Sequence, residues 1–397
     1  MESAQRSRQT IVNYVTWISF FSLHRIAERW NQTGQKYAGA PDIVRDVLEP
    51  LPLLLWVLIF VAYAVITART AYHFLGVAGV DSLLAIANAI TLCVPSLAFK
   101  LSFTASDAPE LLAWLSRESI TRLQQVPLIA TARILFFQLV MELLIAISHR
   151  FIFRRRYQRK GYTLAFVQDL LTLLLVAQTR AHNIPLYLIF LTQHAFLQQL
   201  RLSITQIAFT TILLAHVSFF ALGNSNAISS IDLSNAYNGV SGYNVVAVGF
   251  LVFVSNWAGP IWWSVAGIQL LTSGSDHRHR HETRDNGKAV SRRTRPQREW
   301  ISEEHRHLSE SVSADSTLPT TPKPPIPSPL FNFLALWTFF ISTSLFAVML
   351  SCTILRTHLF IWTVFSPKYL YAMAWTLGFH LLIIVGLGSA IWKVASG

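Results

Sequence analysis

Seven ionisable side chains stand inside apolar stretches of this chain: Asp81, Arg133, Glu142, Asp169, His194, His216 and His380. Hydrocarbon rejects such groups at a cost of about 2.5 kcal/mol or more, which makes each a functional suspect. Glu142 and Asp169 each lie about seven residues from the same basic loop, 149–161. Consecutive helices tend to pack side by side, which would bring the two carboxyls to one depth. Adjacent carboxylates raise one pKa and would suit a proton relay; the bland reading gives each a hydrogen-bonding neighbour such as His194 or Gln168. Arg133 stands one to two turns inside its apolar run, where a guanidinium either snorkels to lipid phosphate or grips a substrate phosphate bidentately. "HRHRH", 277–281, has metal-ligating residues, but the interleaved arginines repel a cation and a flexible tract holds no fixed geometry, so specific metal binding is not expected. No GxSxG, P-loop, HExxH or paired-metal Asp/His cluster is present, and no complete active site is legible.

The elements that carry these groups follow from composition. Of 397 residues, 52% are hydrophobic and 13% charged, with a mean hydropathy of +0.42; a soluble domain has about 25% charged residues. Lipid is therefore the solvent. A net charge of +12 could suggest nucleic acid, but the excess is concentrated in loops such as "HRFIFRRRYQRK", 149–160, directly after an apolar run. That is the pattern of a cytosolic membrane-protein loop, and no nucleic-acid partner is expected. Cys93 and Cys352 lie in apolar surroundings without ligand spacing and are expected to stay unpaired. Residues near the start lack the apolar core and cleavage site of a secretory signal.

A helix needs about 20 apolar residues to cross a bilayer. Such runs occur at 51–69, 80–98, 127–148, 162–179, 205–222, 245–271, 329–350 and 370–392, with a shorter one at 184–200. The expected fold is all-α, a polytopic transmembrane bundle of about nine spans. It divides into an amino-terminal lumenal or interfacial segment (1–50), a bundle (51–271), a disordered basic cytosolic linker (272–328) and a carboxy-terminal pair (329–397). The stretch 11–23 is too short to assign. With 149–161 in the cytosol, the loops on that side hold 19 Lys and Arg against 12 opposite, in keeping with the positive-inside rule. Segments 99–126, 180–183, 223–244 and 351–369 then face the lumen, as does the sequon Asn31-Gln32-Thr33, a candidate glycosylation site.

Two stretches stand out. "GNSNAISSIDLSNAYNGVSGY", 223–243, is a neutral hydrogen-bonding strip with one charge, Asp232. "SNWAGPIWW", 255–263, breaks a span with Gly259-Pro260 among three tryptophans, which makes either a tight helix crossing or a groove for an acyl chain or sugar face.

The run from Gly223 through Trp263 resembles the carboxy-terminal membrane portion of the GPI ethanolamine phosphate transferase 2 family. So do "RWNQTGQKYAGAPDI" (29–43), "FKLSFTASDAPELL" (99–112) and "SCTILRTHLFIWTVFSPKYLYAMAW" (351–375), in the family's order. The resemblance implies phosphoethanolamine transfer, from phosphatidylethanolamine to the second mannose of a GPI precursor, in the endoplasmic reticulum membrane. It also implies a lumenal catalytic domain with two divalent metals and a nucleophilic Thr, no part of which matches here. This chain would be the membrane domain, inactive alone, with no cofactor of its own. A small hydrophobic stabilising subunit is implied too, and "GLGSA", 386–390, offers it a small-residue face. On this reading Asp232, Asn235, Tyr237 and Asn238 would contact glycan, Lys100 and Arg133 would contact phosphate, and Trp257, Trp262 and Trp263 would line a groove. The rivals are a proton-coupled carrier, which needs a polar path joining Glu142, Asp169 and His194, and a non-catalytic scaffold.

Overall fold

The computed structural model describes residues 2–31, 41–152, 161–200, 202–225, 230–273, 328–357 and 366–396. The linker 274–327, with its HRHRH tract, and loop residues 153–160 lie outside that set. The described residues contain helices and no strand. In chain order they are α1 (Glu2–Glu28), α2 (Pro52–Ala78), α3 (Ser82–Asp107), α4 (Arg117–Gln124), α5 (Leu128–Ile152), α6 (Tyr162–Ala177), α7 (Leu186–Gln199) and α8 (Ile204–Ala221). Then come α9 (Val245–Asn256), α10 (Ala258–Ser273), α11 (Pro329–Ile354) and α12 (Ser366–Ala374). Wide π-type turns over Trp375–Leu387 lead into α13 (Gly388–Ser396).

Helix starts follow local chemistry. Ser203 and Gln206 form a reciprocal capping box on α8, and Ser328 accepts from Phe331 N–H just ahead of Pro329 on α11, each supplying orphan N–H groups with acceptors. Gly79 closes α2 at φ 63°, a backbone shape that a Cβ would disfavour.

Six helices are long and apolar enough to cross a bilayer, or up to seven counting the pair α9 and α10, bent by 71°, as one span. The count of nine is not reached by length, because of α6 and α7. With 16 and 14 residues they reach about 24 and 21 Å, short of a hydrocarbon core of about 30 Å. Most of their residues are buried, and α6 runs from the Tyr72 contact of Tyr162 at one end of the bundle to Gln178 at the other. The unassigned stretch 11–23 is the middle of the 27-residue α1. Its Ile11, Tyr14, Val15 and Ile18 form an exposed apolar stripe, while Thr16, Phe20 and Ala27 are buried and the helix packs on α7 and α8.

The ends of the bundle sort as the charge pattern expects. At one end Trp30 Nε1 donates to His182 O, Trp56 Nε1 to Leu111 O, and Asn183 Nδ2 to Leu222 O. At the other, Tyr72 meets Tyr162, and Arg69 and His73 meet Asp169. The Gly259-Pro260 pair makes a tight crossing: a Cβ at Gly259 would lie 2.6 Å from Ser218 Cβ on α8 and 3.0 Å from its backbone carbon. The carboxy-terminal pair packs on the rest through α11 and α8.

The intramembrane ionisable groups fall into separate contacts. Asp169 pairs with Arg69 (3.3 Å) and His73. Glu142 lies beside Asn88, and His194 sits edge-on to Trp262 at 6.0 Å. His216 stacks on Trp375 at 4.5 Å, and His380 Nε2 lies 3.1 Å from Thr338 Oγ1. Asp81 is exposed at the start of α3. The expected Glu142–Asp169 juxtaposition does not form: Arg69 and His73 of α2 engage Asp169, and Glu142 lies beside Asn88. The path that a carrier would need is therefore not assembled among the described residues.

Candidate functional site

The described part of the neutral strip, 223–225 and 230–243, is held across one end of the bundle by side-chain hydrogen bonds. Asp232 accepts two bonds from Arg180, Nε to Oδ2 and Nη2 to Oδ1, both at 3.0 Å, and one from Ser234 N–H at 3.0 Å. Asn256, at the last turn of α9, accepts from Asp232 N–H at 2.9 Å and donates to Asp232 O at 3.0 Å. That reciprocal pair satisfies the backbone of an otherwise irregular segment. From α5, Arg133 donates to Gly239 O at 2.7 Å and to Ser241 Oγ at 3.0 Å. Gly239 itself has φ 81°, the left-handed region that glycine enters without strain.

Beneath the strip three amides converge. Asn238 Nδ2 donates to Asn235 Oδ1 at 3.1 Å and reaches Gln178 Oε1 at 3.4 Å. All three residues are buried, and Gln178 Nε2 and Asn235 Nδ2 have no partner among the described residues. Below them opens a cavity of about 630 Å³ between α5, α6, α9 and the last helix.

The structure redistributes the residues singled out by sequence. Tyr237 is 51% exposed and Asp232 keeps 24% of its side chain exposed, so both face outward. Asn235 and Asn238 are interior and reach no surface sugar directly. Arg133 is exposed but already engaged with the strip. Lys100 is corrected: it is fully buried, its ammonium donates to Thr179 O at 2.5 Å and lies 4.6 Å from the Phe103 ring centre. An ammonium enclosed in this way ties α3 to the end of α6 and meets no headgroup. The three tryptophans are corrected as groove residues. Trp262 and Trp263 are fully buried around Phe190, and Trp257 sits between Phe253 and Tyr371; none lines the cavity. Asn31 is buried as well, its amide pressed against Gly223, so the folded chain covers the candidate glycosylation nitrogen; Gln32 and Thr33 lie outside the described residues.

Arg180, Asn256 and Gln178 were not singled out by sequence. Two signals pointed to them. Arg180 is the lone charge of a four-residue loop on the same side as the lone Asp232. Asn256 is a bare amide inside an apolar run, the type of residue that finds a buried partner.

Electrostatics give this end a pH response. Burial works to raise the Asp232 pKa, but the Ser234 and Arg180 hydrogen bonds and the Arg180 charge outweigh it and hold the carboxyl below its usual range. Burial, then the Arg180 charge, push His182 down to about 4, against the opposite pull of Asp232 and Asp42. The signs differ in consequence. His182 is neutral in the folded chain, so the unfolded chain binds its proton first, and stability falls as pH drops from about 6.5 toward about 4. The contribution of Asp232 is intact above its unfolded value of about 3.9 and is lost only below it. Thermal unfolding in detergent should decline between pH 7 and pH 5 by at most about 1.4 kcal/mol per unit. His182→Gln should flatten that slope and Asp232→Asn should leave it; a slope unchanged in His182→Gln would refute the assignment.

Comparison with known proteins agrees with this architecture. A family model described as the GPI ethanolamine phosphate transferase membrane region matches residues 1–397. The chain is 35% identical over 356 residues to a protein named GPI ethanolamine phosphate transferase 2 from Aspergillus fumigatus, covering 89% of this chain and 33% of that one. Proteins of the same name from Yarrowia lipolytica and Saccharomyces cerevisiae are 31% and 26% identical, over 96% and 94% of this chain and 43% and 40% of theirs. The chain thus spans between a third and a half of the length of these relatives. No solved structure matches it. This chain belongs to the GPI ethanolamine phosphate transferase membrane-region family.

Proposed function

We propose that this chain is the membrane domain of an enzyme that moves phosphoethanolamine onto the second mannose of GPI precursors in the endoplasmic reticulum membrane. It holds lipid-linked substrate at the strip end for a lumenal catalytic domain. The observation that carries this reading is a preorganised polar cap over an apolar cavity: one surface offers hydrogen bonds to a glycan, and the space beneath suits lipid. Tyr237 presents a ring to a sugar face, and the Asp232–Arg180 pair presents a carboxylate and donors to hydroxyls. Arg133, at the edge of the strip, would meet a phosphate with the N–H groups that its bonds to Gly239 and Ser241 leave over. Asn235, Asn238 and Gln178 support that surface from below. Phosphatidylethanolamine would be the donor.

The two divalent metals of such an enzyme belong to its catalytic domain. Among the described residues no three His, Cys, Asp or Glu side chains converge to hold a metal, and no step is routed through one. A small hydrophobic stabilising subunit is part of the same proposal. It would seat on the exposed Phe331, Phe339 and Phe346 of α11 or on the 386–390 face, where Gly386 and Ala390 are exposed and Gly388 packs toward Ile268.

The test places Tyr237→Ala and Asp232→Asn in this chain joined to a family catalytic domain, with mannose modification measured in cells. A loss of about tenfold at normal protein level is expected, the scale of one or two hydrogen bonds. Full modification at normal level would remove the strip from the substrate path.

A further inference from the structure

The cavity under the strip has a chemistry of its own. Of the 23 residues lining it, only Thr163, Gln178 and Asn238 carry polar side chains. Thr163 is at the start of α6, while Gln178 and Asn238 are at its strip end. Along α6, from Thr163 to Gln178, the chamber runs about 22 Å, well over half of a hydrocarbon core of about 30 Å. Its volume, about 630 Å³, is in the range of about 300–1,000 Å³ typical of small-molecule sites. Ordered water needs two to four polar partners, which these walls do not supply, and an empty space of this size would forfeit the dispersion contacts of its lining.

Two features say what fills it. Val140 on α5 and Phe250 on α9 both line the chamber and are exposed on the outer surface of the bundle, so the chamber opens sideways toward the bilayer between these helices. At the strip end Gln178 lines the wall with its Oε1 engaged by Asn238 and its Nε2 unpartnered among the described residues; Asn235 Nδ2, one residue behind, is unpartnered as well. A buried N–H without an acceptor is a costly arrangement unless a ligand oxygen completes it.

We propose that the chamber is a binding site for one hydrocarbon chain of a membrane lipid, which enters between α5 and α9 and places an ester or phosphate oxygen at Gln178 Nε2. The strip is then a lid over the chain and a platform for the headgroup. The identity of the lipid rests on the function proposed above; the chain-binding chemistry is common to an inositol-linked acceptor and a phosphatidylethanolamine donor.

The test uses the full chain in phosphatidylcholine vesicles that carry either phosphatidylethanolamine or phosphatidylinositol with a photoactivatable diazirine midway along one acyl chain. Cross-linked positions are mapped by mass spectrometry. Labelling of the enclosed Leu170 and Val254 is expected with at least one probe, and the more strongly labelling headgroup identifies the source. Leu170→Trp, which fills the chamber, should abolish label at Val254 while leaving label on the outward-facing Ile134 and Phe137. Gln178→Leu keeps the size of the side chain and removes the Nε2 donor together with the Oε1 that Asn238 reaches, and it should weaken probe retention about five- to tenfold. Label confined to Ile134 and Phe137 in both arms would overturn the site, as would full retention in Gln178→Leu. Strong chamber labelling together with unchanged mannose modification in the strip variants would leave the site standing and sink the functional reading. An unlabelled chamber with abolished modification would do the reverse.

Discussion

Asp169→Leu is expected to destabilise the bundle by about 3–5 kcal/mol, the scale seen when one member of a buried ion pair is removed. The side chain of Asp169 is 2% exposed, and its two oxygens meet Arg69 Nε at 3.3 Å and His73 Nδ1. Without the carboxylate, a guanidinium and an imidazole remain in an interior with no acceptor of comparable strength. Asp169→Asn should also be strongly destabilised, since it keeps the shape and loses the charge. The double change Arg69→Met with Asp169→Leu should recover most of the loss, because a buried pair replaced by apolar groups of similar volume is often neutral. Thermal unfolding in detergent and accumulation in cells would both register it. A single variant as stable as the parent would show that the pair contributes nothing, and failure of the double variant to recover would place the cost elsewhere.

Trp262→Ala carries an expectation of similar size, about 3–5 kcal/mol for removing a large ring from a packed interior. Trp262 is fully buried, with ring centres of Trp263 at 4.9 Å and Phe190 at 5.7 Å, and its Nε1 donates to Thr172 Oγ1 at 2.9 Å. Trp262→Phe would retain much of the ring and lose that bond, at a cost nearer about 1 kcal/mol. Because Trp262 does not line the cavity, Trp262→Phe should leave lipid labelling of the chamber intact. If Trp262→Phe matched Trp262→Ala, ring packing would not be the main contribution.

Where an apolar run was long and flanked by polar residues, sequence and structure agree closely. The runs at 51–69, 80–98, 127–148, 205–222 and 329–350 appear as α2, α3, α5, α8 and α11. The run at 245–271 is present too, but it bends at Trp257, between α9 and α10, two residues ahead of the Gly259-Pro260 pair, which lies in the first turn of α10. Less legible were helices whose apolar character meets protein instead of lipid. Hydropathy measures transfer out of water and is silent on whether the receiving phase is a side chain or an acyl chain, so the sequence did not show that α6 and α7 are short and mostly buried. The site was legible as a region and not as a set of contacts. Asp232 stood out, but Arg180 is 52 residues from it, and Asn235 looked like a surface amide because neutral loops usually are exposed. Lys100 shows the same limit: a cation near a helix end usually snorkels, and only the fold reveals that Thr179, 79 residues on, encloses it.

Helix α6 raises a question about the order of synthesis. It is 16 residues long, too short to bridge both headgroup layers, and carries Gln168 and Asp169 near its middle. Presented to lipid by itself, its central Asp would cost about 2.5–3.5 kcal/mol, which cancels most of the gain from its leucines. Its counter-charge, Arg69, precedes it by 100 residues and leaves the ribosome roughly 5–20 s earlier. A nascent chain that keeps α2 near the translocon until α6 emerges would hand the helix to finished protein and spare that cost.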